Sequence, residues 1–316
     1  MFSSSQKKLI EHFENAVRSD SLRQCYIIKG DHGLGKKTAV KKIKEYIMCQ
    51  NGTACGKCNN CLTLVSGANP DCKTISNGEK QTIEIGKLRD MIKDVYVKPV
   101  SCKYRLFIIE NAHLMDAPGQ NAILKLIEEP PSYAVFILIC DNLNAILPTI
   151  ISRSQILEIE NWSIEDLKSA CPLGKEDEYM YTYCLGNIGM LKEVSADEDF
   201  AVLRNGVIKS FVPIVVEDEL AVYDAIDFWL ANKEHKDKLI EILIMFLRDV
   251  MLYKSSLPHL MANTDKLNEI KAVSSAVTLK KSFDMLKIAN DAPRMLGKYG
   301  NFTIAAQTLL MQLKKE

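Results

Sequence analysis

The sequence predicts an α/β domain built on a parallel sheet, followed by regions made of helices alone. Three features lead there. Short apolar, β-branched runs alternate with helical segments as far as about Asn161, the pattern of a parallel sheet covered on both faces. The first of these runs leads straight into a glycine-rich segment and then a helix, the local order of a phosphate-binding loop. Beyond Asn161 no convincing run of strands remains.

Taken in order, residues 6–20 read as an amphipathic helix, with Leu9, Ile10, Phe13 and Val17 on one stripe and charged residues on the other. Residues 24–29 form the first strand, 30–38 the glycine loop and 39–48 the helix after it. Further strands are expected at 72–76, 105–110, 134–140 and 155–159, with helices at 85–95, 118–128 and 143–151 between them. Residues 162–198 read as a few short helices, and the remainder is helical, with Leu239, Ile242, Leu243, Phe246 and Val250 on one stripe. The expected division is therefore a phosphate-loop domain at 1–161, a small helical domain at 162–204 and an all-helical domain at 205–316.

Composition narrows the function. With 316 residues, 47% hydrophobic and 25% charged, the chain has the balance of a globular protein of about two or three domains and not of a disordered or fibrous one. Forty basic residues against forty acidic ones leave a formal net charge of zero, so no overall field grips a phosphate backbone, and any nucleic-acid role is local or shared with partners. The apolar runs fall well short of the roughly 20 residues that cross a bilayer. The first residues lack the apolar core of a signal peptide, so a cytoplasmic protein with reduced cysteines and no membrane partner is expected.

Two constellations carry chemistry. In GDHGLGKK at 30–37, Gly30, Gly33, Gly35 and Lys36 fit the phosphate-loop pattern, whose backbone N–H groups and lysine bind phosphate oxygens. The next position should be a Ser or Thr whose hydroxyl ligates Mg²⁺, but it is Lys37, and Thr38 comes one residue late, about 100° further round the helix. An ammonium there repels a divalent cation, so ATP or ADP binding is expected to be weak or metal-independent. The partner strand, 105–109, ends in Glu110-Asn111 where an ATPase needs Asp-Glu. Glu110 has a longer reach to a metal, unless it simply ends an edge strand, and Asn111 cannot take a proton near neutral pH. Hydrolysis is not expected. His32, inside the loop, is a weaker candidate for a phosphate contact.

The second constellation is Cys49, Cys55, Cys58 and Cys61, four soft ligands with CxxC spacings and glycines at 52 and 56. Four thiolates close a tetrahedral sphere with no place for water, which points to structural Zn²⁺. Free buried thiols or a redox pair are the alternatives, the second lacking a thioredoxin-like βαβ context.

Three stretches, ENAHLMD at 110–116, NAILKLIEEPP at 121–131 and PTIISR at 148–153, closely resemble the bacterial clamp-loader branch of the AAA+ ATPases over most of residues 1–200. The altered loop and the cysteine insertion are similar to the delta-prime type of subunit within that branch. The resemblance implies a RecA-like AAA+ domain, a small helical lid and an all-α C-terminal collar in a hetero-pentamer with gamma/tau motor subunits and a delta subunit. It implies work on a sliding clamp and, through the assembled complex, on primed DNA. It also implies that Ser152-Arg153-Ser154 stands for the Ser-Arg-Cys motif, with Arg153 as an arginine finger reaching a neighbour's ATP. Otherwise Arg153 caps a helix or pairs with Glu158 or Glu160. Gly189 stands where hydrolysing relatives carry a sensor arginine. The alternative is an ATP-hydrolysing gamma/tau-like motor of the same complex.

Overall fold

The structure, a computed structural model, describes residues 1–78, 80–216, 220–299 and 302–314, with the backbone alone over 294–299. The chain divides into two compact units, one of Met1–Ala170 with Gly186–Gly189, the other of Cys171–Leu185 with Met190–Glu316.

The first unit is built on five strands: β1 (Cys25–Lys29), β2 (Cys72–Ile75), β3 (Arg105–Ile109), β4 (Ala134–Cys140) and β5 (Gln155–Glu158). They form one sheet in the order β2-β3-β4-β1-β5, with every neighbouring pair parallel. This is the RecA-like AAA+ arrangement. Because all the strands run the same way, the residues that follow β1, β3 and β4 emerge on one edge, the edge where open α/β sheets bind ligands. That edge receives the glycine loop, Glu110 and Asp141.

Burial explains the strand sequences. All seven residues of β4 are buried, and Phe107 and Phe136 on adjacent strands stack with ring centroids 5.4 Å apart. A strand covered on both faces reads as a continuous apolar run, whereas the edge strand β5 alternates half-buried with exposed residues.

Among the described residues seven helices accompany the sheet: α1 (Ser4–Arg18), α2 (Lys36–Met48), α3 (Asn59–Val65), α4 (Ile85–Val95), α5 (Ala117–Glu128), α6 (Pro148–Ile151) and α7 (Ile164–Ala170). Helix α1 starts with a capping box in which Ser3 and Gln6 satisfy each other's backbone N–H groups. The expected helix at 143–151 is two pieces, a 3-10 turn over Leu143–Ala145 and then α6. Pro148 causes the split by holding Leu147 in an extended conformation, φ −58° and ψ 136°. Helix α3, inside the cysteine segment, was not anticipated; CxxC spacing dominates a stretch too short to show a helical period.

Asp71, just before β2, is fully buried and anchors the approach to β3. Its carboxylate accepts from the backbone N–H groups of Val100 and Ser101, both at 2.8 Å, and of Cys102 at 2.9 Å. Burial alone would raise this carboxyl's pKa, but those three donors and the Ser101 hydroxyl hold it below the ordinary value.

Among its described residues the second unit has helices and no strand: α8 (Tyr179–Tyr183), the later part of α9 (Ile188–Ala196), α10 (Phe200–Val216), α11 (Ala221–Ala231), α12 (Lys236–Lys254), α13 (Leu267–Ala276), α14 (Leu279–Tyr299) and α15 (Phe302–Lys314). Helix α12 packs against α10, α13 and α14, and the stripe Leu239, Ile242, Leu243, Phe246 and Val250 is buried there. At the start of α10 the buried Arg204 grips Asp265 with two bonds of 2.9 and 2.6 Å. It also bonds Asn263 Oδ1 at 2.9 and 2.7 Å and stacks on the Tyr179 ring, 4.3 Å from its centroid. A buried guanidinium needs such complete pairing. No described helix is long and apolar enough to cross a membrane.

Candidate nucleotide and metal sites

The glycine loop joins β1 to α2. Gly33 and Gly35 have φ of +82° and +80°, and Gly35 caps α2 without a side chain. The loop is fastened from behind: Gln6 Nε2 donates to the carbonyls of Leu34 and Gly35 at 2.9 and 3.1 Å, and Trp162 Nε1 to that of Leu34 at 3.3 Å.

Lys36 is only 6% exposed. Its Nζ lies 2.7 Å from Gly30 O, 2.5 Å from Asp31 O and 2.9 Å from Asp141 Oδ1. Asp141 directly follows β4, and its backbone N–H donates to His113 Nδ1 at 3.2 Å. Burial pushes the Asp141 carboxyl up, but Lys36, with His113 and His32 adding less, outweighs this and holds it below the ordinary value. His32 itself is highly exposed and 3.4 Å from Asp141 Oδ2.

The next lysine is also paired. Lys37 Nζ lies 2.8 Å from Glu110 Oε2, so an ammonium of this chain stands between α2 and the end of β3, where the phosphate-loop pattern calls for a divalent cation. Thr38 is exposed, one step further round α2. Asn111 adopts a left-handed conformation, φ 52° and ψ 45°, and its Nδ2 donates to Asn77 Oδ1 at 2.9 Å. An amide held this way has no basic lone pair to activate water.

The turn Gly186–Gly189 belongs to the same unit and sits on the loop. Gly189 N donates to Gly33 O at 2.9 Å, and Asn187 Nδ2 to His32 O at 2.7 Å. A Cβ on Gly189 would lie 2.7 Å from Gly33 Cα and 3.0 Å from Gly33 O, and one on Gly33 would lie 2.2 Å from Asn187 Oδ1. At Gly189 the obstacle is backbone, whereas at Gly33 the Asn187 side chain could move and the positive φ is what disfavours a side chain.

Arg153 follows α6 and is 42% exposed. Its Nη2 lies 3.0 Å from Glu128 Oε1, and its Nη1 donates to Thr149 O at 3.2 Å. The sequence offered Glu158 or Glu160 as ion-pair partners; Glu158 instead pairs with Lys29 at 2.9 Å. Ser154 donates to Ile150 O at 2.7 Å and touches Cys25 Sγ at 3.1 Å.

The four cysteines come together. Cys49 ends α2, Cys58 caps α3 and Cys61 lies in its first turn. All four Sγ atoms lie within 4.8 Å of one another. A tetrahedral Zn–S₄ centre with bonds of about 2.3 Å needs S···S edges of about 3.8 Å, and Cys49 Sγ to Cys55 Sγ is 3.6 Å. Burial works against a Cys49 thiolate, but the backbone N–H groups of Cys55, Thr53 and Asn51 bring it down to about 6, while burial and the neighbouring Cys58 push Cys61 up to about 12. A Cys49 thiolate thus disfavours one at Cys61, a conflict a central divalent cation would remove. This cluster could hold a metal ion, and among the described residues no other group of three or more His, Cys, Asp or Glu side chains is so placed.

Residues of the site that escaped the sequence reading include Gln6, Asn77, Asp141, Trp162 and Asn187. Asp141 had a signal, since it follows the apolar run of β4 as Glu110 follows that of β3. Gln6 and Asn187 act across chain separations of 28 and 155 residues, which no local pattern reveals.

A RecA-like parallel sheet with a glycine loop at its strand ends defines an AAA+ P-loop protein. Residues 5–163 match the family described as DNA polymerase III, delta subunit, and residues 198–314 match its C-terminal counterpart. The chain belongs to this family of clamp-loader subunits. It is 26% identical to the DNA polymerase III subunit delta' of Bacillus subtilis, across 83% of this chain and 80% of that one. It is 25% identical to the tau subunit of the same organism, across 90% of this chain but 56% of that longer one. A crystal structure of a gamma-subunit-related protein from Thermotoga maritima aligns over 96% of this chain and 98% of its own, with a TM-score of 0.46 and 15% identity.

Proposed function

We propose that this chain is a delta-prime-type stator of the clamp loader, which does not hydrolyse ATP itself but completes the ATP site of a neighbouring gamma/tau-type motor subunit. The observation that carries this reading is the Lys37–Glu110 ion pair at 2.8 Å. It sets an ammonium of the chain where a hydrolysing site keeps Mg²⁺, and Lys36 is likewise engaged by Asp141. The three N–H groups of Lys36 face Gly30 O, Asp31 O and Asp141, and the charge of Lys37 is matched by Glu110, so both lysines meet a phosphate in competition with a carboxylate. ATP or ADP, if taken up, binds weakly and is not turned over.

Arg153 supplies the active contribution in this reading. A guanidinium reaching across a subunit boundary neutralises charge on the transferring phosphoryl group, and such fingers contribute about 10³ to 10⁵ in rate. Residues 162–204 would serve as the lid and 205–316 as the collar that joins motor and delta subunits in a hetero-pentamer. The assembly would open a sliding clamp and place it on primed DNA in the cytoplasm. The cysteine cluster would hold one structural Zn²⁺ through Cys49, Cys55, Cys58 and Cys61.

Steady-state ATP turnover by the purified chain, with Mg²⁺ and with or without primed DNA, tests the stator reading against the motor one. The expected result is no turnover above background. Turnover that primed DNA stimulates would make the chain a motor.

A further inference from the structure

The Arg153 guanidinium is engaged within its own chain. Glu128 Oε1 lies 3.0 Å from Nη2, and Nη1 donates to Thr149 O and, at 3.4 Å, to Ser152 Oγ. Glu128 is the last residue of α5, and Pro130 and Pro131 follow closely and end that helix, so the backbone that carries the carboxylate is held at a helix stop. Both side chains of the pair are 42% exposed, open to a molecule approaching from outside.

Carboxylate and phosphate oxygens are equivalent ligands for the planar guanidinium fork. A nucleotide phosphate held by a neighbouring subunit would therefore compete with Glu128 for the same N–H groups. We propose that Glu128 is a positioning residue that parks Arg153 against the end of α5 and yields it when a neighbour's γ-phosphate arrives. This rests on the reading of Arg153 as a finger in trans. The pair's exposure suits a reversible hold, because surface ion pairs are weak and salt screens them. Glu158 is not free to share the task, being paired with Lys29.

The test is a cycle of Glu128→Gln, Arg153→Ala and the double variant, each in the reconstituted loader, with assembly checked by sizing. Glu128→Gln keeps the shape of the side chain and removes its charge. It should raise kcat for stimulated ATP hydrolysis by about two- to fivefold at low salt, leave KM nearly unchanged, and lose this advantage as salt rises. The gain should vanish in the Arg153→Ala background. Unchanged or lower turnover for Glu128→Gln, with Arg153→Ala collapsing turnover, would overturn the role of Glu128 alone. A gain that persists without Arg153 would also overturn it, since it would then act elsewhere. Unchanged turnover for Arg153→Ala would remove the finger reading and this proposal together.

Discussion

Two adjacent lysines reach different carboxylates because they start α2 about 100° apart around its axis. Lys36 points inward to Asp141 and the loop carbonyls, and Lys37 outward to Glu110. Replacing Lys37 by Thr restores a hydroxyl for Mg²⁺ and frees Glu110 to face it. Mg²⁺-ATP affinity should rise by about tenfold, the scale of one recovered charge-assisted contact, as followed by titration with a fluorescent ATP analogue. Turnover should stay absent, because Asn111 still lacks a basic group; hydrolysis by Lys37→Thr without Asn111→Glu would contradict the role given to Asn111. The departures at Lys37 and Asn111 were legible in the sequence, since a motif fixes what each position must do. The partners were less so: a sequence shows that Lys37 is wrong for a metal, not that Glu110 neutralises it.

At the scale of elements, the cysteine cluster brings the end of α2 to the start of α3, which also buries Asn60 and Leu64. Helix α3 has seven residues, too few to hold itself together in water, so its order depends on tertiary ties, those of Cys58 and Cys61 together with the buried Leu64 and the Asn60 bond to Ser101 O. Protein purified without chelator should carry one zinc per chain. Stripping the metal should raise hydrogen exchange across residues 49–65 while the exchange of β1 and β4 is retained. Zinc-free protein with the same protection would assign the fold of this segment to packing alone. Strands β1, β3 and β4 were legible because burial on both faces writes an apolar run. The helix expected at 143–151 was broken by Pro148, whose effect on Leu147 outweighs the apolar pattern around it. The turn at Gly186–Gly189 was recognisable only as a missing arginine, whereas its packing on Gly33 explains why a side chain is not accommodated there.

At the scale of the whole molecule, the fold keeps the geometry of a nucleotide site while its charges are satisfied internally, and it leaves an arginine exposed after α6. On the proposed stator reading, such a chain would have its effect through another subunit's chemistry. The measurement that tests it most directly is clamp- and DNA-stimulated ATP turnover by the reconstituted loader containing either the wild-type chain or Arg153→Ala, with assembly checked by sizing. The account predicts a fall of at least about a hundredfold at the affected site with the complex intact, in keeping with the scale of arginine fingers. Undiminished turnover in an intact complex would contradict it and leave Arg153 as a surface residue that pairs with Glu128.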